Sequence, residues 1–363
     1  MILRQIKLEN FRNVGCAQLD FSDGVNLLYG KNAEGKTNIL EAIYFFTRGK
    51  SFRGGKESEL IRFGQRGCKI EITCENANGT DVLEYAFYDG QRQRKKNGVK
   101  VTAREMIGYF PAVLFCPDHL SIIKSAPALR REFLNVALSS LYPEYLFHIG
   151  EHKKVSEQKN ALLKGEEEID RSLLAAYNDK LAEVSAQVYC FRRDYIGKLN
   201  GSVKKTMDEI SGGREDAQIF YQSDIPAEIS RLSEITSYYK NLFIEYERRE
   251  IAAKMCLCGV SRDDMHFCIG GRDARVFASQ GQQRSLALAL KIGEGELVAS
   301  IRGEAPVYLF DDVLGELDEE RKKYVLTRTA DKQRIVTACE KDDYSELSGV
   351  RLYRVEGGEY KLV

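Results

Sequence analysis

The stretch Gly30-Lys31-Asn32-Ala33-Glu34-Gly35-Lys36-Thr37 places a glycine at each end of a short loop and follows the second with lysine and threonine. That spacing is the Walker A pattern, which works only where the loop leaves a strand and opens a helix. The flanks agree: Val25 to Tyr29 reads as a strand, and Ile39, Leu40, Ile43 and Phe46 recur at helical spacing. With glycine at about 7% of average usage, a chance match in a chain of 363 residues has a probability on the order of 1%. In such a loop successive backbone N–H groups and the helix N-terminus face the β- and γ-phosphates. Lys36 adds a point charge and the Thr37 hydroxyl ligates Mg²⁺. The helix dipole contributes only about 0.3 to 1 kcal/mol, against about 8 kcal/mol for micromolar binding. Lys36, the cradle from Gly30 to Asn38 and the metal must supply most of the rest, so ATP with Mg²⁺ is the expected ligand.

Around this loop the chain reads as α/β, with about two domains expected from its length. Ile6 and Leu8 alternate as a strand; Ile70, Ile72, Cys74 and Leu83, Tyr85, Phe87 flank Asn78-Gly79, and Asn97-Gly98 marks a second hairpin. An antiparallel meander follows from these, then a short buried strand ending before Pro117. From about Ser125 to Met255 the texture turns to charged, helix-forming stretches, broken near Ser211-Gly212-Gly213 and by a short strand at Ile219 to Tyr221. These helices read as too short and too interrupted for a coiled coil. The last third returns to α/β, with a helix from about Gln282, strands at Val307 to Phe310 and Arg334 to Ala338, a charged helix from Asp318 and a hairpin about Gly357-Gly358. The expected domains are 1–124 and 256–363, two parts of one lobe, with a helical lobe at 125–255.

Lys and Arg number 54 against 54 Asp and Glu, so the net charge is zero and any basic surface must be local. No segment approaches the roughly 18 uncharged apolar residues of a spanning helix, and the start lacks a secretory pattern. A cytoplasmic protein without a membrane partner is expected. The nine cysteines are scattered; Cys256, Cys258, His266 and Cys268 match zinc spacing poorly and read as free thiols.

Val307 to Phe310 ends in Asp311-Asp312, the form of a Walker B strand delivering carboxylates to the edge of a parallel sheet. Asp311 is the expected Mg²⁺ partner and Asp312 the general base for the attacking water. Between the two Walker motifs lies Ser279-Gln280-Gly281-Gln282-Gln283-Arg284. Ser279 and Gly281 look like an ABC-type signature, whose hydroxyl and helix N-terminus, with Gln282 in the first turn, meet a γ-phosphate held by another subunit. Leu317-Asp318 resembles the D-loop that crosses the same interface. Taken alone, Ser279 and Asp318 would be ordinary helix caps.

Together these residues resemble one family over essentially the whole chain: RecF, the SMC-like, ABC-type ATPases of bacterial recombinational repair. The resemblance includes Phe11-Arg12-Asn13, Gly49 to Arg53, Pro127 with Arg130 to Leu134, Arg262-Asp263-Asp264, Ser279 to Arg284, Asp311 to Leu314 and Glu316 to Asp318. It implies an ABC-type P-loop ATPase head built from the N- and C-terminal thirds, an antiparallel β meander and a mostly helical second lobe. It also implies that Arg12 and Asn13 contact the nucleotide, that Thr337 holds the switch position, and that Ser279, Gly281 and Asp318 lie in an ATP-dependent head-to-tail homodimer. The expected partners are DNA at single-strand/double-strand junctions, RecR, RecO and RecA. Val260-Ser261 replace the usual Pro-His before Arg262, and Asp312 replaces the catalytic Glu of ABC ATPases. The shorter carboxylate predicts slow, DNA-stimulated turnover, with Lys36, Ser279 and Asp312 as the catalytic set.

For DNA, Arg92, Arg94, Lys95, Lys96, Lys100 and Arg104 run without an acid from Asp89 to Glu105, and Arg48, Lys50, Arg53 and Lys56 form a second such cluster. Either would give salt-sensitive, sequence-tolerant binding; as charge runs, both could equally be solvated loops. Arg130-Arg131 open a helix and could brace the lobes. Two other functions fit a P-loop: an ATPase subunit of a transporter, which would carry a switch histidine, and a small-molecule kinase, which would lack the signature. A Rad50-type ATPase would need a long coiled coil.

Overall fold

The phosphate loop joins a largely buried strand to a largely buried helix in the computed structural model, which describes residues 1–165, 168–340 and 349–363. The chain opens with β1 (Ile2–Phe11) and β2 (Val14–Asp20), then β3 (Val25–Tyr29), the loop, and α1 (Lys36–Arg48). A meander follows: β4 (Gly67–Asn76), β5 (Gly79–Tyr88), β6 (Gln91–Lys96) and β7 (Val99–Lys100). Next come α2 (Ala103–Met106), β8 (Ala112–Phe115) and α3 (Pro117–Leu120). The predicted turn at Asn97-Gly98 forms with φ of 50° and 78°, as a two-residue hairpin of type I′ requires.

The helical part comprises α4 (Pro127–Leu141), α5 (Pro143–Lys164), α6 (Arg171–Ser211), β9 (Ala217–Gln222), α7 (Leu232–Ala253), β10 (Asp264–Ile269), β11 (Arg272–Asp273) and α8 (Ala274–Phe277). The chain returns through α9 (Gln280–Arg302), β12 (Val307–Asp311), α10 (Glu319–Arg328), β13 (Arg334–Ala338), β14 (Arg351–Glu356) and β15 (Glu359–Leu362). The sequence reading of short, interrupted helices is corrected by α6, 41 residues without a break. Gly197 and Gly201 lie inside it; their cost of about 1 kcal/mol each is outweighed by a buried stripe that includes Leu181, Val188, Ile196, Leu199 and Val203.

Two compact units result: 1–121 with 205–215 and 279–363, and 122–204 with 216–278. Residues 256–278, expected with the C-terminal part of the ATPase lobe, cluster with the helical unit because β10 pairs antiparallel with β9, Phe267 opposite Ile219. Within that unit Arg130 gives both ends of its guanidinium to Asp264 at 2.7 Å. Arg131 donates to the Asp263 carbonyl at 3.0 Å. Both arginines thus brace the helical unit internally.

The first unit holds two six-stranded sheets among the described residues. One is antiparallel, in the order β2-β1-β4-β5-β6-β7; the other runs β15-β14-β3-β13-β12-β8, parallel except for β15. Strands β8, β12 and β13 are buried at every residue, as a parallel sheet covered on both faces demands. Parallel pairing sends all carboxyl ends to one edge. The register sets Asp311 beside Thr337, and Ala338 beside Tyr29, the last residue before the phosphate loop.

Candidate nucleotide site

Helix α1 begins because Gly35 takes φ 113° and turns the chain into it. A Cβ at Gly35 would stand 3.0 Å from Asn13 Oδ1 and 3.2 Å from the Tyr360 hydroxyl, so the position needs glycine for space as well as conformation. Lys36 is 3% exposed and bends back over the loop, its Nζ donating to the carbonyls of Gly30 at 2.6 Å and Lys31 at 3.1 Å. Its charge is therefore held inside the ring of backbone amides that a phosphate would enter.

Thr37 Oγ1 donates to Asp311 Oδ1 at 2.7 Å, and Thr337 Oγ1 donates to the same oxygen at 3.1 Å. Burial pushes the Asp311 carboxyl above its usual range and the neighbouring Asp312 charge adds to this; the hydrogen bonds from Thr37 and Thr337 and the charge of Arg53 oppose it. Asp312 takes the left-handed conformation, φ 49°, and its backbone N–H donates to Thr337 Oγ1 at 2.9 Å. Among the described residues that turn leaves Asp312 Oδ1 buried without a hydrogen-bond partner, a costly arrangement. A hydroxyl, a buried carboxylate and an unsatisfied acceptor at the mouth of a phosphate loop form a hard-oxygen donor set that fits Mg²⁺ bound together with phosphates.

The predicted residues divide into three groups. The loop residues Gly30 to Thr37, with Asn38, Asp311, Asp312 and Thr337, come together at the sheet edge. Asn13 joins them: it accepts from Asn38 Nδ2 at 2.6 Å and donates to the Glu34 carbonyl at 3.4 Å. Arg12 is turned to the inner side of α1, where Nε and NH2 donate to Glu41 at 3.0 and 2.5 Å and NH1 donates to the Glu59 carbonyl at 2.8 Å. Arg53, grouped by sequence with the DNA candidates, reaches back to the same helix from the turn that follows it, donating to Asn38 Oδ1 at 2.9 Å and pairing with Glu41 at 3.5 Å.

The signature forms a separate group. Ser279 caps α9 in a reciprocal box with Gln282: Ser279 Oγ accepts from Gln282 N at 3.2 Å and Gln282 Oε1 accepts from Ser279 N at 2.8 Å. Gln282 Nε2 is held by Glu215 at 2.9 Å, and the space above Gly281 is bounded by Arg321. Asp318 caps α10 and pairs with Arg321, which donates to Ser285 Oγ at 2.8 Å, while Arg284 donates to the Glu316 carbonyl at 3.0 Å. Signature and D-loop are thus one hydrogen-bonded element. Ser279 is exposed and, among the described residues, makes no bond to the phosphate loop of its own chain.

The basic candidates on the meander are less free than the sequence suggests, because the sheet brings acids that are distant in the chain. Arg92 pairs with Glu57, Lys95 with Glu84 at 3.2 Å, and Lys96 with Asp81 at 3.7 Å, with the Lys96 ammonium 4.0 Å from the Tyr109 ring centroid. Arg94 stacks over Tyr85 at 5.5 Å and has no carboxylate partner among the described residues. Arg48 is half-buried at the end of α1.

Sequence reasoning missed the clamp on the loop. Tyr360 of β15 donates to the Gly35 carbonyl at 2.9 Å, Gly358 N donates to the Glu34 carbonyl at 2.9 Å, and Gly357 N donates to the Glu34 carboxylate. The hairpin was legible from Gly357-Gly358; its contact, more than 320 positions away in the chain, carried no local signal.

The RecF/RecN/SMC N-terminal domain family matches residues 2–360. The chain is similar to the DNA replication and repair protein RecF of Caldanaerobacter subterraneus subsp. tengcongensis, 36% identical over 94% of this chain and 95% of that protein. The RecF of Streptococcus pyogenes serotype M4 is 34% identical, covering 100% and 99%. Among solved structures, the recombination mediator protein RecF-ATP in the RecFOR pathway superposes with a TM-score of 0.93 at 35% identity, covering 99% of this chain and 97% of that one. The Smc head domain of Pyrococcus furiosus, at 17% identity and a TM-score of 0.57, shares the fold. These matches span both sheets and the helical unit, and they favour neither a transporter subunit nor a small-molecule kinase. The chain belongs to the RecF family.

Proposed function

We propose that this chain is an ATP-dependent DNA-binding protein of replication and repair, in which ATP gates a homodimer on gapped or junction DNA. The observation that carries the reading is the junction of Thr37, Asp311, Asp312 and Thr337 beside Lys36. Two hydroxyls and two carboxylates stand there beside a phosphate loop at one sheet edge, which supports a metal site and a base. The amides of the loop and Lys36 would hold the β- and γ-phosphates; Thr37 and Asp311 would hold Mg²⁺, which would supply charge neutralisation there. Asp312, its free oxygen buried, takes the proton of the water that attacks the γ-phosphorus, as the bond to the β–γ bridging oxygen breaks and ADP leaves. The exposed Ser279 and the N-terminus of α9 complete the site of the partner copy, so that binding favours association and hydrolysis releases it. Asp312 is one methylene shorter than a glutamate, and turnover is accordingly slow and raised by DNA. RecO and RecR are the partners with which the dimer helps load RecA.

Sedimentation with and without Mg²⁺-ATP and a gapped duplex tests this. Association that needs ATP, disappears in Lys36→Met and persists in Asp312→Asn supports the gated dimer. A monomer indifferent to ATP and DNA overturns it, and a fast ATPase indifferent to DNA overturns the role given to Asp312.

A further inference from the structure

Among the described residues Phe63 is 102% exposed, while the next most exposed large apolar side chain, Val363, is at 72%. The ring stands on a built turn. Gln65 N donates to the Arg62 carbonyl at 3.0 Å and Gly64 has φ 81°, the geometry of a type II turn with Phe63 in its second position. Arg62 N donates to the Asn10 carbonyl at 2.8 Å, Ile61 bridges Phe11, and the Arg66 carbonyl accepts from Asp89 N at 3.2 Å. The backbone is thereby fixed while the ring it presents has no neighbour to cover it, which forgoes the whole gain of burying a phenyl group. Arg62 and Arg66 flank it, both exposed, and among the described residues neither has a carboxylate partner. This separates them from Arg92, Lys95 and Lys96, whose charges are met by Glu57, Glu84 and Asp81.

We infer that the turn Arg62 to Arg66 is a contact for unpaired nucleotides of DNA, with Phe63 stacking on an exposed base while Arg62 and Arg66 meet the phosphates on either side; the inference rests on the DNA-binding reading above. A flat ring between two unpaired cations fits a polyanion that offers π faces, and every base offers one when unpaired. Inside a duplex those faces are already stacked, so the contact favours gaps and ends. The turn is also tied to the nucleotide site: Arg12 donates to the carbonyls of Glu59 and Leu60 just before it and to Glu41 on α1.

The chain contains no tryptophan and 19 tyrosines, so Phe63→Trp creates a single tryptophan emitter at the contact, excited at the red edge where tyrosine does not absorb. In the full-length protein at low salt, an oligothymidylate is expected to quench that emission and a blunt duplex to leave it unchanged. Phe63→Ala, at a fully exposed position that no packing depends on, is expected to weaken oligothymidylate binding at least about fivefold with blunt-duplex affinity unaltered. Emission unchanged at saturation, as judged by the anisotropy of a labelled oligonucleotide, overturns the contact. So does an Ala variant that binds both DNAs like the parent or loses both equally, the result expected if Phe63 serves a protein partner. A parent protein that binds neither DNA overturns the DNA-binding reading itself.

Discussion

The Thr37 hydroxyl donates to Asp311 at 2.7 Å, joining residues 274 positions apart in the chain and tying the start of α1 to the end of β12. Because Asp311 is buried, its carboxylate depends on that donor and on Thr337 for solvation.

Thr37→Val keeps the shape and removes the donor. Magnesium is expected to strengthen binding of a fluorescent ATP analogue in the parent, and the gain over EDTA is expected to fall about tenfold or more in the variant, a loss of at least ~1.4 kcal/mol. An undiminished magnesium gain would remove Thr37 from the metal site.

Glu41 is 0% exposed, and Arg12 is its principal cation, with Ser51 and Arg53 beside it. Removing one partner of a buried pair costs about 3 to 5 kcal/mol, whereas replacing both is far milder. Arg12→Ala is expected to lower the melting temperature sharply, and the double variant with Glu41→Gln to recover most of the loss. Equal melting of the single and double variants would show that Arg53 and Ser51 suffice.

Tyr360→Phe removes one hydrogen bond, to the Gly35 carbonyl, and little packing. A net contribution of about 0.5 to 1.5 kcal/mol predicts a small fall in melting temperature without nucleotide and, because the unclamped loop must be ordered on binding, two- to tenfold weaker nucleotide binding. Titration calorimetry of parent and variant decides it; equal affinities would make the hairpin a structural cover only.

Two groups of the helical unit oppose each other in acid. Burial, with the Arg192 charge, holds the His152 imidazole down to about 4. Burial pushes Asp263 up to about 7, against the Tyr221 hydrogen bond and the charges of Arg192 and Arg131, with Asp224 adding to the rise. The unfolded chain binds the His152 proton more readily from about pH 6.5 down to 4, so that contribution is lost as pH falls. The folded chain binds the Asp263 proton more readily from about pH 4 to 7, so that contribution is lost as pH rises. Between pH 7 and 5, His152→Gln is therefore expected to lose less stability than the parent and Asp263→Asn to lose more, by up to about 1.4 kcal/mol per pH unit. Thermal melts at both pH values read the sign, and a reversed order would refute it.

The elements of the ATPase unit were legible because their signals are local. Glycine spacing marks the loop, apolar runs mark β3, β8, β12 and β13, and Ser279 and Asp318 cap the helices they announce. The 41-residue length of α6 was not: the break expected at Ser211-Gly212-Gly213 does end it, but the continuity of Arg171–Ser211 rests on a buried stripe whose partners are distant in the chain.

The sequence by itself determined which residues can bind phosphate and carry a carboxylate, since those depend on residue type and short spacing alone. Only the tertiary structure decided which of them meet. Parallel register put Asp311 and Thr337 beside the loop. Strand pairing brought Glu84 to Lys95 and Asp81 to Lys96, and Glu57 reached Arg92 from a segment outside the sheet, so a run of basic residues lost much of its free charge. Arg12 and Arg53 were drawn to one buried carboxylate, Glu41. The physical reason is common to all three: a hydrogen bond or an ion pair acts over a few ångströms of space, and the distance along the chain does not enter it.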